Sequence, residues 1–287
     1  MITFLKRNIK TIMIYVIVFF TVIFYGFPMY WMVVSSITPE SILYQYPPNL
    51  VPSTITFENF LNIWGTTQFP EWFKNSAVIA VSVSLVVVLL ATLAGYSLTR
   101  FAYRTHGRFN VDFGLVYARF TLFAYMFPRI IFAIPVFIIM KNLLLIDTLL
   151  GVAIAQLSFS LPHAMWMLYI FFQSLPIEPE EAALVDGASR IRALFHVVVP
   201  MALPAMLVVV LISFVHSWND YEWALFLLQS QRNLTLPLGI SFFMAHQSVE
   251  WGSLMATGVL MDIPILVLFI FTEKHLVRGL TAGAVKG

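Results

Sequence analysis

Six stretches of the chain are apolar for long enough to be candidate membrane spans. The runs at 11–37, 76–98 and 148–172 carry no Asp, Glu, Lys or Arg, and the second is dense in Val and Leu. The run at 201–228 is broken only by Asp220 and Glu222, and that at 252–272 only by Asp262. The sixth, 109–140, contains Asp112, Arg119 and Arg129 together with Pro128 and Pro135, and the two prolines predict a bend. A helix needs about 20 largely apolar residues to cross roughly 30 Å of hydrocarbon, so each run is long enough. The pattern predicts an all-α, polytopic membrane protein of six transmembrane helices, forming one domain over 1–287.

Composition agrees with the pattern. Hydrophobic residues make up 60% of the chain and charged ones 10%, with a mean hydropathy of +0.87. A water-facing surface needs roughly 25% charged residues, more than this chain has. With no cysteine at all, a secreted disulfide scaffold, a thiol enzyme and a Cys-ligated metal site are excluded. A net charge of +2 without a basic cluster argues against nucleic acid. The histidines, at 106, 163, 196, 216, 246 and 275, are scattered over loops and different runs, so neither a catalytic nor a metal-binding cluster is expected.

Lys6, Arg7 and Lys10 precede an apolar run longer than the roughly 7–15 residues of a signal peptide core, so the first run reads as a retained span. With the N-terminus inside, 100–108, 173–200 and 274–287 are cytoplasmic, while 38–74, 141–147 and 229–251 are external. Most Lys and Arg then fall inside, and only Lys74, Lys141 and Arg232 outside, which is the positive-inside pattern and predicts both termini in the cytoplasm. The external segment 38–74 is rich in proline and too short to build its own core. The chain has no phosphate-cradling glycine loop with a following Lys.

The segment 173–200 is the most informative. Pro179 with Glu180 and Glu181 starts a helix, placing proline in the first turn and acids at the positive end of the dipole. Gly187 offers a break and Ser189 a second N-cap, so two short helices are expected. Physics alone gives a compact helical hairpin, or an ordinary solvated connector.

The residues within that hairpin add a resemblance. Glu181-Ala182-Ala183, then Gly187 after three residues, and Val197-Val198-Val199-Pro200 further on, resemble the EAA loop of bacterial ATP-binding-cassette importer permeases, with Val where the family has Ile and Leu. Asp186 and Ala188 complete the form typical of the carbohydrate-importing branch. The likeness extends over most of the chain: Ile37-Thr38-Pro39-Glu40, Ala94-Gly95-Tyr96-Ser97, Met126-Phe127-Pro128, Leu145-Ile146-Asp147-Thr148, Ser217-Trp218-Asn219-Asp220 and Gly279-Leu280-Thr281-Ala282-Gly283-Ala284 resemble segments of the maltose-type second, smaller permease subunit.

The resemblance implies the type I importer permease fold in a bacterial or archaeal cytoplasmic membrane, and a binding-protein-dependent importer of a di- or oligosaccharide. It implies as partners a second homologous permease, an ATPase dimer and an extracytoplasmic sugar-binding protein, with ATP and Mg held by the ATPase subunits and no cofactor in this chain. Glu181, Ala182, Ala183, Asp186 and Gly187 would couple to the ATPase. The tail residues Gly283, Lys286 and Gly287 would reach between the ATPase subunits, where Gly and Ala suit an extended segment.

Charges within spans are expensive and face a cavity or a partner. Arg129 either pairs with Asp220 or Glu222, or snorkels to the outer face, or lines the translocation pathway; in the last case an acidic saccharide such as a uronate oligomer is an alternative substrate, since guanidinium binds carboxylate bidentately. Sugar-phosphates are a further alternative. Trp218, Asn219 and Asp220 are candidate pathway residues, indole suiting pyranose faces and the amide suiting hydroxyls. A distant alternative is an ion-coupled carrier using the intramembrane acids.

Overall fold

A computed structural model describes residues 2–66, 68–101, 113–246 and 250–284, and no strand occurs among them. In chain order the helices are α1 (Ile2–Ser36), α2 (Glu40–Leu43), α3 (Glu58–Thr66), α4 (Phe69–Arg100), α5 (Phe113–Tyr125), α6 (Ala133–Asn142), α7 (Leu149–Ser174), α8 (Glu178–Val185), α9 (Arg190–Ala193), α10 (Val199–Trp218), α11 (Glu222–Leu227), α12 (Leu236–His246) and α13 (Trp251–Ala284). Among the described residues five stretches are long and apolar enough to cross a membrane: Thr11–Ser36, Phe69–Arg100, Leu149–Ser174, Arg190–Trp218 and Trp251–Lys274.

Two expected spans differ from the sequence reading. The run at 109–140, expected as one bent helix, is divided: α5 ends at Tyr125, a 3-10 turn covers Arg129–Phe132, and α6 follows. Pro128 disfavours helical backbone at Phe127 and cannot donate to the ladder, so helix stops before it and restarts after it. Pro135 falls in the first turn of α6, where its missing N–H is no loss. The run at 201–228 ends at Trp218, and only the short α11 follows the break at Asn219 and Asp220. The tail differs too. Helix α13 continues to Ala284, so the part of 274–287 up to that residue is helical rather than extended.

The chain forms two compact units. One comprises 1–67 and 243–264, the other 68–242 and 265–287. In the first, the side chains of α1 from Thr11 to Phe27 are exposed, while the turn after it is tightly bonded. Thr38 Oγ1 donates to the Val34 carbonyl at 2.7 Å, and Asn59 Nδ2 donates to the carbonyls of Ser36 and Thr38 at 2.9 and 3.0 Å. The Glu40 carboxylate accepts the N–H groups of Trp251 and Gly252, both at 2.8 Å, and so caps α13, whose first amides have no partner within the helix.

In the second unit α4, α7 and α10 pack together. Ile79, Val83, Val87 and Ala91 recur every four residues and are buried, whereas Val81, Leu85 and Leu89 on the opposite face are exposed. The stripe continues to Gly95, where a Cβ would stand 3.2 Å from the Tyr169 backbone nitrogen and 3.2 Å from the Phe172 ring. Small residues, Ala80 and Ala91 on α4, Ala155 and Ala164 on α7, and Ala202 on α10, fill the buried faces, as expected where close van der Waals approach rather than the hydrophobic effect holds helices together in lipid.

Candidate functional site

The segment after α7 folds as the two-helix hairpin its sequence predicts. Leu175 leaves α7 in extended conformation ahead of Pro176. Helix α8 begins with Pro179 in its first turn and Glu178, Glu180 and Glu181 at its positive end. Gly187 then takes φ +87, a backbone region open to glycine at no steric cost. Ser189 caps α9 by accepting the Arg192 N–H at 3.3 Å. A turn of π-helix, Leu194–Val198, joins α9 to α10.

Of the five hairpin residues singled out in the sequence, Glu181, Ala182, Asp186 and Gly187 are exposed and Ala183 is half-buried. The neighbouring acid behaves otherwise. Glu180 retains 3% of its accessible surface; its Oε1 accepts from the Tyr96 hydroxyl at 2.6 Å and its Oε2 from Arg100 Nε at 2.9 Å. Arg190 of α9 places its guanidinium 5.3 Å from the centre of the Phe101 ring. Sequence reasoning took Glu180 only as a dipole-complementing acid. No local signal separates it from Glu181, because its partners lie 80 and 84 residues away.

A second polar group gathers around the break after α10. Arg129 Nη1 approaches Asp220 Oδ2 at 3.4 Å, and Asp220 Oδ1 accepts the Trp223 N–H at 3.1 Å. Nearby, the Ser217 hydroxyl donates to Gln156 Oε1. Arg129, Gln156, His216 and Asp220 line a common narrow cleft. Arg129 also borders a cavity of about 370 Å³ with Tyr125, Phe159 and Glu222. Asn219 is exposed, its amide donating to the Val215 carbonyl at 3.1 Å.

Trp218, placed in the sequence reading as a sugar-stacking candidate, is fully buried: Phe214 stacks on it at 5.8 Å and Phe73 meets it edge-on at 5.2 Å. Phe73 of α4 and Phe214 of α10 cover the indole, so Trp218 packs between helices rather than presenting a face to a cavity. Gly283 lies in the last turn of α13; Lys286 and Gly287 lie outside the described residues, as does Asp112. Among the described residues, no three His, Cys, Asp or Glu side chains gather as metal ligands would.

A third arrangement links two turns. Asp147, at φ +58, accepts the N–H groups of Gln229 and Ser230 on Oδ1 at 2.9 and 3.0 Å, and its carbonyl accepts from Asn233 Nδ2 at 2.6 Å. Burial alone would push its carboxyl up, but the hydrogen bonds from Ser230 and Gln229 hold it below the ordinary carboxylate range.

Long apolar helices, a broken span with an ion pair at the break, and a compact hairpin between two spans are the architecture of a multi-pass membrane protein. The chain belongs to the family described as binding-protein-dependent transport system inner membrane component, whose model matches residues 107–282. It is 32% identical over 98% of its length to the inner membrane ABC transporter permease protein YcjP of Escherichia coli, covering 99% of that protein. It is 33% identical to the trehalose/maltose transport system permease protein MalG of Thermococcus litoralis, over 91% of each chain. In fold it is similar to a chain of a bacterial ABC transporter involved in the import of the acidic polysaccharide alginate, with a TM-score of 0.71, 23% identity, and coverage of 94% of this chain and 97% of that one. The likeness to sugar-importing permeases read from the sequence is borne out, and the protein is a multi-pass component of the inner membrane.

Proposed function

We propose that this chain forms one half of the translocation pathway of an ATP-driven importer of a di- or oligosaccharide, coupled to its ATPase through the hairpin at 173–200. The observation that carries the reading is the division of labour on α8. Glu180 turns inward, while Glu181, Ala182 and the Asp186-Gly187 turn stand exposed. Small side chains there allow a partner helix groove to approach closely, and Glu181 is free to meet a basic or amide group across that interface.

The complete importer would pair this chain with a second, homologous permease, an ATPase dimer and an extracytoplasmic binding protein. ATP and Mg would be held by the ATPase subunits, and both termini of this chain, with the tail containing Gly283, Lys286 and Gly287, would lie on the ATPase side. Similarity to a trehalose/maltose permease supports a disaccharide or longer sugar.

Arg129, Asn219 and Asp220 are the residues proposed to border the pathway, with Trp218 supporting them from behind. The charges favour a neutral sugar over an acidic one: Arg129 is engaged with Asp220, and Glu222 shares its cavity, so the cation at this site is already matched by acids.

The test is ATPase activity in proteoliposomes holding this chain, the neighbouring permease, the ATPase and the binding protein. Maltose, trehalose and a uronate trimer are added in turn, with Gly187→Asp as control. Stimulation by a neutral sugar that disappears in the control supports the reading. Stimulation by the uronate alone moves the substrate to the acidic class, and sugar uptake that follows an ion gradient without ATP refutes the coupling.

A further inference from the structure

Resting on the coupling reading above, we propose that the end of α4 is a clamp gripping both helices of the hairpin, so that hairpin displacement is delivered to α4 and along it to the break at Trp218–Asp220. Glu180 is the positioning residue of this clamp.

Each hairpin helix is attached to the same place by a charged side chain. Glu180 of α8 binds Tyr96 and Arg100, and Arg190 of α9 covers Phe101. The Glu180–Arg100 pair is 3% and 10% exposed on its two sides. Water therefore does little to screen it, and a lone buried carboxylate would be strongly unfavourable.

The covalent connections are poorer candidates for carrying force. On one side the chain from α7 to α8 passes through extended Leu175, whose N–H still donates to the Phe172 carbonyl at 3.3 Å, and then Pro176, which has no N–H with which to continue the ladder. On the other side stands a π-helical turn, a geometry that interrupts the regular α-helical ladder. An eight-residue helix such as α8 is also too short to hold its shape without tertiary contacts.

Helix α4 is suited to be the lever. It is continuous from Phe69 to Arg100. Near the clamp it is wedged against α7, with Gly95 on the Leu168–Tyr169 backbone and the Tyr96 ring edge-on to Phe172 at 6.5 Å. At its other end Phe73 meets the Trp218 indole, immediately before Asn219 and Asp220. At the α-helical rise, the 23 residues from Phe73 to Tyr96 span roughly 35 Å. The hairpin and the proposed pathway are thus joined by one rigid element with an aromatic contact at one end and a buried ion pair at the other.

The absence of cysteine in the chain permits a direct test by spin labelling. Val185→Cys on α8 and Leu89→Cys on α4, both at exposed positions, are labelled in the reconstituted transporter, and the inter-label distance is measured without nucleotide and with ATP and vanadate. A clamp gives one narrow distance in both states, broadened or shifted in Glu180→Gln. Trehalose or maltose uptake per ATP hydrolysed falls about tenfold in that variant and is restored by Glu180→Arg combined with Arg100→Glu. Where Glu180→Gln does not assemble, Tyr96→Phe, which keeps the ring, must lower the same ratio.

The clamp is overturned if the unsubstituted protein shows a nucleotide-dependent distance, if Glu180→Gln leaves distance and ratio unchanged, or if the charge swap assembles without restoring the ratio. An unchanged ratio in Tyr96→Phe, where that variant stands in, overturns it as well. Failure of the underlying reading looks different: a Val185 label whose mobility does not change when the ATPase subunits bind shows that the hairpin is not their contact.

Discussion

Arg129 and Asp220 meet at 3.4 Å across two breaks in the helical ladder, the 3-10 turn after Pro128 and the bend after α10. Both breaks lie within apolar runs, so each exposes backbone groups that lipid cannot satisfy. Asp220 repairs one of them by accepting the Trp223 N–H, and Arg129 neutralises the resulting buried charge. Arg129→Ala is therefore expected to lower stability in detergent by about 1–3 kcal/mol, the usual effect of leaving a buried polar group without its partner. In a double-mutant cycle with Asp220→Asn, the two changes should be non-additive by about 0.5–3 kcal/mol. Additive unfolding midpoints would show that the pair contributes nothing.

Gly187 sits at φ +87 with open space where a side chain would go, so the penalty for replacing it is conformational rather than steric. Gly187→Asn, which tolerates the left-handed region, should retain ATPase co-purification better than Gly187→Val, whose β-branch makes that region a strained one. Equal retention in both would mean that the turn is not needed in this shape.

The hairpin was legible because its signals are local: Pro179 opens α8, Gly187 closes it, and Ser189 caps α9 within a dozen residues. What escaped the sequence reading depends on distance. Glu180 and Glu181 are adjacent acids with no local difference, and only the approach of Tyr96 and Arg100 buries one and leaves the other exposed. On α4 the buried and lipid-facing sides are both apolar, so hydropathy gives length without orientation; the seam shows instead in the small residues Ala91 and Gly95. The break after Trp218 falls at the polar residues Asn219, Asp220 and Glu222, but the apolar stretch that resumes from Trp223 to Leu228 keeps the hydropathy of the run high and makes it read as one span. Pro128 announced a bend, but whether a proline kinks a helix or ends it is decided by what packs around it. Trp218 looked like a sugar platform because its chemistry suits one, and its burial by Phe73 and Phe214 is a tertiary fact.

The approach of α4 to α7 gives a packing prediction. At Gly95 an added methyl meets the Tyr169 nitrogen and the Leu168 carbonyl carbon at 3.2 and 3.3 Å, backbone atoms that cannot swing aside. Gly95→Ala should destabilise the protein by about 1–3 kcal/mol through overpacking, against the helix-propensity gain of about 1 kcal/mol that alanine brings elsewhere. Thermal unfolding of the purified chain checks the sign. A stabilised variant would mean that the helices separate freely at this level.

Asp147 offers a pH test in which backbone strain is held constant. Its φ of +58 suits Asp and Asn alike, so Asp147→Asn removes the charge while keeping the turn. The amides of Ser230 and Gln229 hold the folded-state carboxyl below its ordinary value despite the opposing effect of burial. A group whose folded pKa is depressed contributes stability that is present above its unfolded value, near pH 4, and is lost as pH falls through the folded value. At neutral pH the Asp147→Asn protein should therefore be the less stable of the two. As pH drops below about 4 the native protein should lose stability faster, so that the difference between them narrows. Unfolding midpoints of both proteins measured from neutral to acid pH decide it: parallel curves would mean that the Asp147 charge does not hold the 229–233 loop, and the carbonyl contact with Asn233 would then be the bond that matters.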